Sequence, residues 1–268
     1  MLKAPSDFSE NSCFSSNPTR LTIAGWKRAK WFPTQKSCSK NGLNEKICEI
    51  YKKAKDLDMH IEVWEKETSA GLEITVVFRG TDSWIDWLTN LNWIGRYIPL
   101  WPDQYSLLAE HFSHEFVESL AKKIQEDKSS VSLSAAGHSL GGGLAQYFAY
   151  SLPSETTAHY AIPRVSHVYA FDPSPVTGWY IVNKVQRETN AENLIIDRIF
   201  EHGEILAYLR LLLSYVNPPS KVPAITEIRY NFDQSFNPFS SHSMDFLACN
   251  LCENAKNSVP PKCSRAED

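Results

Sequence analysis

The sequence predicts an α/β protein whose mostly parallel central sheet carries helices on both faces. Runs rich in β-branched and aromatic residues recur along the chain, helical segments alternate with them, and no repeat or low-complexity linker divides the 268 residues. Strands that alternate with helices are typical of a parallel sheet covered by helices. We therefore expect one domain over residues 21–268, preceded by a loosely ordered tail over residues 1–20.

The first half of the chain supplies two strands and a long helix. HIEVWEK (60–66) and LEITVVFR (72–79) flank a Ser-Ala-Gly turn and are predicted to be neighbouring strands. Residues 106–127 carry apolar side chains at successive i+4 positions, a pattern that predicts an amphipathic helix. These side chains are Leu108, Phe112, Phe116, Leu120 and Ile124.

The second half supplies the rest of the sheet. A helix is expected to follow the glycine run near residue 141 and to end at about Ser151. The very apolar segment Ile205–Val216 is either a buried helix or part of a cap that binds an acyl chain. Further strands are predicted at residues 131–137, 166–171, 193–200 and 226–232.

Composition excludes some function classes. The formal net charge is -4 and no basic block occurs, so nucleic acid is not an expected partner. No apolar run reaches the roughly 18 residues needed to cross a bilayer, and the first residues contain no apolar segment typical of a secretory signal. These features predict a protein that is cytoplasmic as synthesised, with export only by a route that needs no cleaved signal.

Six cysteines permit disulfides, although a chain of this length does not need them. Cys249 and Cys252 form a CxxC pair on a predicted helix. A structural zinc site would require a second close pair, which the sequence does not contain. We expect no metal and no cofactor, and interpret the cysteines as ordinary thiols or as one or two disulfides.

Residues 137–141 read GHSLG and raise the question of why three consecutive glycines follow at the start of a helix. Glycine costs about 1 kcal/mol in a helix relative to alanine, so a local need is expected. The pattern G-x-S-x-G marks a sharp strand-to-helix turn that exposes a nucleophilic serine, here Ser139. Gly142 and Gly143 are predicted to let the helix pack tightly against the sheet. The helix N-terminus and the Leu140 N–H favour negative charge beside the serine.

A serine nucleophile needs a base, which on such a fold follows the acid in the chain. His242 comes after the last predicted strand, opens a final helix, and is the predicted base. His138, next to the serine, is expected to point away from it and to be structural. The other histidines after the serine, which lie before or within earlier strands or before a better acid, are His159, His167 and His202.

Two carboxylates could complete the triad. Asp172 ends the strand that follows the nucleophile helix, and Glu204 comes just past the next strand. Either side chain could reach the imidazole, depending on the path of its loop. The residues alone leave both open.

Three segments together resemble the class 3 lipases of the α/β-hydrolase superfamily: VVFRGTDSWIDWLTNL (76–91), GHSLGGGLA (137–145) and HSMDFLA (242–248). The resemblance runs from about Gly25 to Cys252. It implies an α/β-hydrolase fold, with Thr81 and Leu140 as the oxyanion-hole donors.

The same resemblance bears on the acid. The family's acid follows the later of the two strands, which favours Glu204, although the family usually has aspartate there. The segment FDPSP instead resembles pancreatic-type lipases, whose acid occupies the earlier strand, and this keeps Asp172 as the alternative.

Lipases of this family carry a lid where residues 92–105 lie, and an aromatic, apolar loop with Trp93, Tyr97 and Trp101 fits one. A packed core loop is the other interpretation. We expect a serine hydrolase, a lipase or phospholipase, that acts on acyl lipids and makes transient contact with a membrane surface. A thioesterase or peptidase with the same triad, and a catalytically silent fold that binds protein, are the alternatives. The oligomeric state is not predicted.

Overall fold

The computed structural model describes residues 25–34, 38, 45–57, 59–79, 105, 107–127, 130–153, 162–204, 206, 222–232 and 241–258. Its strands are β1 (Lys27–Arg28), β2 (His60–Thr68), β3 (Gly71–Arg79), β4 (Val131–His138), β5 (Val165–Phe171), β6 (Ile195–Glu201) and β7 (Ala224–Tyr230). Its helices are α1 (Glu45–Asp56), α2 (Ser113–Asp127), α3 (Leu140–Ser151), α4 (Lys184–Ala191) and α5 (Met244–Ser258), and a π-helical turn (Leu108–Phe112) precedes α2.

The seven strands form one sheet in which spatial order follows chain order. β1, β2 and β3 pair antiparallel, whereas β3 to β7 pair parallel. The prediction of a mostly parallel sheet with helices packed against it is confirmed. Because β3 to β7 run the same way, their carboxyl ends meet at one edge of the sheet, where sites of such sheets lie.

One face of the sheet carries the hydrophobic core. In-register residues of four strands, such as Val76, Ala135, Val168 and Ile196, are buried there. Helices α1, α2 and α3 contribute to the same core. Its centre is a set of phenylalanine rings 5.5 to 6.3 Å apart, formed by Phe78, Phe112, Phe116 and Phe148. Alternate strand residues on the opposite face, such as Thr75 and Tyr169, are half-buried or exposed.

The predicted helix at 106–127 is present, with a π-helical turn near its start. The Ser113 N–H donates to the Leu108 carbonyl, and the Ser113 hydroxyl donates to the same oxygen at 2.9 Å. A strict i+4 spacing drifts around an ordinary helix, and the wider turn offsets this drift. Leu108, Phe112 and Phe116 therefore remain buried on one side.

The predicted strands agree with the observed ones to within two residues at each end, but three elements were missed: β1, α1 and α4. A disulfide joins Cys38 to Cys48, whereas Cys249 and Cys252 are not disulfide-bonded. In the part of the chain that the structure describes, no helix is long and apolar enough to cross a membrane. Residues 1–20, the predicted lid apart from Tyr105, and the apolar segment 205–216 apart from Leu206 lie outside it.

Candidate active site

Ser139 occupies the sharp turn between β4 and α3. Its backbone angles are φ 56° and ψ −124°, a region that residues other than glycine rarely adopt. Three hydrogen bonds hold this backbone. The Ser139 N–H donates to the Phe171 carbonyl at 2.9 Å, and the Ser139 carbonyl accepts from the N–H groups of Gly142 at 3.0 Å and Ser174 at 2.8 Å. The contacts with Phe171 at the end of β5, and with Ser174 just after it, thus stabilise a backbone conformation that is unfavourable for serine.

The glycines on both sides of the turn have neighbours too close for a side chain. A Cβ on Gly137 would collide with the carbonyl of Gly141, as the motif requires. A Cβ on Gly142 would lie 2.9 Å from the Pro173 Cβ, and one on Gly143 would collide with the Val176 carbonyl. The predicted close packing at these two glycines is therefore confirmed, but their neighbours belong to the loop that follows β5 and not to the sheet.

His242 lies between Ser139 and Glu204. Its Nε2 is 3.0 Å from the Ser139 Oγ, and its Nδ1 is 2.8 Å from Oε2 of Glu204. Both the His242 and the Glu204 side chains are fully buried. The same Oε2 accepts the Leu206 N–H at 2.8 Å, which fixes the carboxylate from a second direction. This line of groups suits a histidine that is protonated on Nδ1 and can accept a proton from the serine on Nε2.

Asp172, the alternative acid, has a different set of partners. It is fully buried at the end of β5, and its Oδ1 accepts the Glu201 N–H at 3.0 Å. Its Oδ2 lies 3.8 Å from Nε2 of His138. Glu201, also fully buried, accepts the Phe232 N–H at 2.6 Å. These two carboxylates join the carboxyl ends of β5, β6 and β7.

His138 does not point away from the site, contrary to expectation. Its Nε2 lies 3.0 Å from the carbonyl oxygen of His242, and the two rings are 5.0 Å apart. Burial, together with the nearby His242, lowers the pKa of His138 from 6.5 to about 3. His138 is therefore a neutral ring near pH 7, and a neutral ring that donates from Nε2 can hold this carbonyl.

Sequence reasoning missed one contributor to this region, Glu201, and named His138 without its contact to His242. The signal for Glu201 is a carboxylate that directly follows the apolar pair Ile199 and Phe200 at the end of β6, since a buried carboxylate needs polar partners. For His138 the signal is strand alternation. Gly137 faces α3, so the next side chain faces the other side of the sheet, which is the side from which His242 approaches.

The other predicted site residues are Leu140, which directly follows Ser139, two histidines that do not join this group, and five residues outside the described part of the chain. Leu140 is the first residue of α3, where backbone N–H groups lack partners within the helix. His167 pairs with Asp197 at 2.8 Å, and the His202 side chain is exposed. The structure does not describe the other predicted site residues, which are Thr81, Trp93, Tyr97, Trp101 and His159.

Three side chains of this site carry atoms that could ligate a metal ion. Those of His138, Asp172 and His242 all lie within 4.8 Å of one another. Both ring nitrogens of His242 already lie within hydrogen-bond distance of Ser139 or Glu204. A metal bound to His242 would therefore displace one of these two contacts.

Comparison with known families adds an independent observation. A phospholipase-like family model, described as the Tle-like phospholipase domain, matches residues 19–161, just over half of the chain. The chain belongs to this family. The matched part of this Tle-like domain contains β1 to β4, Ser139 and α3. Glu204 and His242 come after it.

Solved structures resemble the Tle-like chain only distantly. Acyl-protein thioesterase 2 from Zea mays has 14% identity and a TM-score of 0.34, over 57% of this chain and 66% of that one. An esterase from Pyrobaculum calidifontis has 16% identity and a TM-score of 0.26, over 53% of this chain and 59% of that one. The chain thus spans less than two thirds of either structure's length. No curated protein matches it.

Proposed function

We propose that this Tle-like chain is a serine hydrolase that cleaves the acyl esters of lipids, with phospholipids as its first substrate class. The observation that carries the proposal is the buried line from Ser139 Oγ through His242 to Glu204, with contacts of 3.0 and 2.8 Å. A serine at a strained strand-to-helix turn, with an oriented histidine beside it, is the arrangement that nucleophilic acyl transfer needs.

The proposed reaction has two halves. His242 Nε2 takes the proton of Ser139 as the serine oxygen attacks the ester carbonyl, while Glu204 stabilises the imidazolium and holds its orientation. The N–H groups of Leu140 and Thr81 would stabilise the tetrahedral oxyanion. The imidazolium then protonates the departing alcohol and leaves an acyl-serine. A water molecule, deprotonated by the same histidine, releases the fatty acid and restores the serine.

The substrate class rests on the family and on the sequence. The family's description names a phospholipase, and the motifs also resemble class 3 lipases. Trp93, Tyr97 and Trp101 would contact the acyl layer as part of a lid, and residues 21–268 would form the single catalytic domain. A thioesterase or a peptidase would use the same triad, whereas a silent binding protein would not need a serine and a histidine in contact.

A fluorophosphonate probe tests the nucleophile directly. Wild-type protein should be labelled on Ser139, and a Ser139→Ala variant should not. Fatty-acid release from phospholipid, triglyceride and short p-nitrophenyl esters, compared with thioester and peptide cleavage, then separates the substrate classes. An unlabelled wild-type protein with no hydrolysis of any substrate would contradict the proposal in favour of a silent fold.

The proposed lid has its own test. Trp101→Ser should lower hydrolysis of aggregated lipid several-fold more than hydrolysis of a dissolved short-chain ester, because an interfacial aromatic anchors only in an acyl layer. Parallel assays on vesicles and on the dissolved ester measure the difference. Equal losses on both substrates would support the packed-loop interpretation.

A further inference from the structure

His138 connects the nucleophile's strand to the backbone of the base. It is the last residue of β4 and immediately precedes Ser139. Its Nε2 lies 3.0 Å from the carbonyl oxygen of His242, which comes 104 residues later in the chain. One short segment therefore carries both the nucleophile, which contacts the His242 ring, and a group that contacts the His242 main chain.

We propose that His138 is a positioning residue for the base: by donating from Nε2 to the His242 carbonyl, it sets where the reacting imidazole stands relative to Ser139. This inference rests on the proposed function, since it assigns a task within the same reaction. It goes beyond the triad because the Glu204 carboxylate contacts the ring of His242, whereas His138 contacts its backbone carbonyl.

The position of His242 needs such support. The residue lies in a short turn, two residues before Met244, the first residue of α5. Ring contacts alone define the direction of an imidazole and leave its Cα free to shift. A shift of about 1 Å at a reacting group can cost about 100-fold in rate. A hydrogen bond to the carbonyl of the same residue restrains that shift.

The residue type at position 138 suits this task. A lysine or arginine could donate the same hydrogen bond but would place a positive charge beside the imidazolium that forms on His242, which is unfavourable. A histidine that stays neutral donates without that charge. Asp172 Oδ2 lies 3.8 Å from Nε2, so a second oxygen atom is near the nitrogen that would carry the donated proton.

Two amide substitutions at position 138 differ in whether the side chain is long enough to donate to the His242 carbonyl. In His138→Gln the side-chain amide nitrogen can occupy the place of Nε2 and still donate. In His138→Asn it is too short to reach the His242 carbonyl. We expect the Gln variant to keep kcat on a dissolved short-chain ester within about threefold of wild type. The Asn variant should lose roughly 10- to 100-fold in kcat with KM nearly constant, because positioning acts on the reaction step.

His202→Asn is the matched control, since this side chain is exposed, and it should keep wild-type kcat. Equal kcat values for the Gln and Asn variants of His138 would overturn the inference while wild-type hydrolysis upheld the proposed function. A wild-type protein without hydrolysis would refute both.

A measurement on the wild-type protein does not depend on whether the variants fold. NMR of the ring nitrogens of ¹⁵N-labelled protein reports the tautomer of each histidine. His138 should carry its proton on Nε2 and show slow exchange of that proton with water. A proton on Nδ1 would leave Nε2 without a hydrogen to donate and would overturn the inference whatever the kinetic result.

Discussion

Replacing Glu204 with glutamine removes the charge beside the proposed base and changes its shape little. In the wild-type protein Oε2 of Glu204 accepts both His242 Nδ1 and the Leu206 N–H, each at 2.8 Å. The Leu206 N–H needs an acceptor, so it favours the amide oxygen of glutamine at the Oε2 position. That orientation preserves the tautomer of His242 that can take the serine proton.

The expected loss therefore comes mainly from the missing charge. A carboxylate and an imidazolium whose charge centres are roughly 4 Å apart attract by about 4 kcal/mol at an effective dielectric constant near 20. Because this attraction exists only once His242 is protonated, it stabilises the transition state by most of that amount. A loss of about 10³-fold in kcat follows. If the amide instead flipped and stabilised the wrong tautomer, the loss would approach about 10⁴-fold, as in a serine protease with the corresponding change.

Steady-state kinetics on a dissolved p-nitrophenyl ester measure the loss of kcat, and thermal unfolding of each variant shows whether its stability has changed. Asp172→Asn is the matched control: its Oδ1 acceptor for the Glu201 N–H survives in an amide, so kcat should fall less than about 10-fold. A Glu204→Gln variant that retained more than a tenth of wild-type kcat would refute the reasoning. If kcat collapsed in Asp172→Asn and not in Glu204→Gln, Asp172, directly after the earlier strand, would be the acid.

Three other variants or conditions test separate features. Ser139→Gly and Ser139→Ala should both lack activity, but the glycine variant should melt at the higher temperature, because φ is 56° there; equal melting points would argue against strain. Reduction of the Cys38–Cys48 disulfide, which closes a loop of 10 residues, should cost at most about 3 kcal/mol of stability in the chain-entropy model, and an unchanged melting point in reductant would contradict this. In the folded state His138 stays neutral down to about pH 3, whereas the unfolded chain binds a proton below about 6.5. The protein should therefore lose stability on acidification through that window, and less so in His138→Gln, as denaturant titrations at several pH values would measure.

The sheet could be predicted because its signals are local. Short runs of strand-forming residues predicted six of the seven strands, and G-x-S-x-G between a predicted strand and a predicted helix located the turn at Ser139. Helix α1 was missed although its signal is present: the buried residues Ile47, Ile50, Tyr51 and Ala54 follow the i, i+3, i+4, i+7 spacing. Two-residue β1 has too little sequence to carry a pattern.

The residues alone left two acids open, and only the family resemblance favoured Glu204, the carboxylate that contacts His242. The contact made by His138 was not predicted either. Both candidate acids follow strand ends at the same edge of the sheet, so chain order is compatible with either. Which carboxylate meets His242 depends on where the loops run in space. Strand alternation indicates which side of the sheet His138 faces, but its partner carbonyl is 104 residues away and is not marked by any local pattern.

The buried carboxylates of Asp172 and Glu201 bear on how such a chain can diversify. Asp172 holds the backbone at the end of β6, and Glu201 reaches to the main chain beyond β7. The anchor of Glu204, three residues after Glu201, is therefore built from the sheet itself. Substitutions or insertions after Leu206 would leave these contacts of Asp172 and Glu201 in place, so the sequence there could change without displacing the proposed acid.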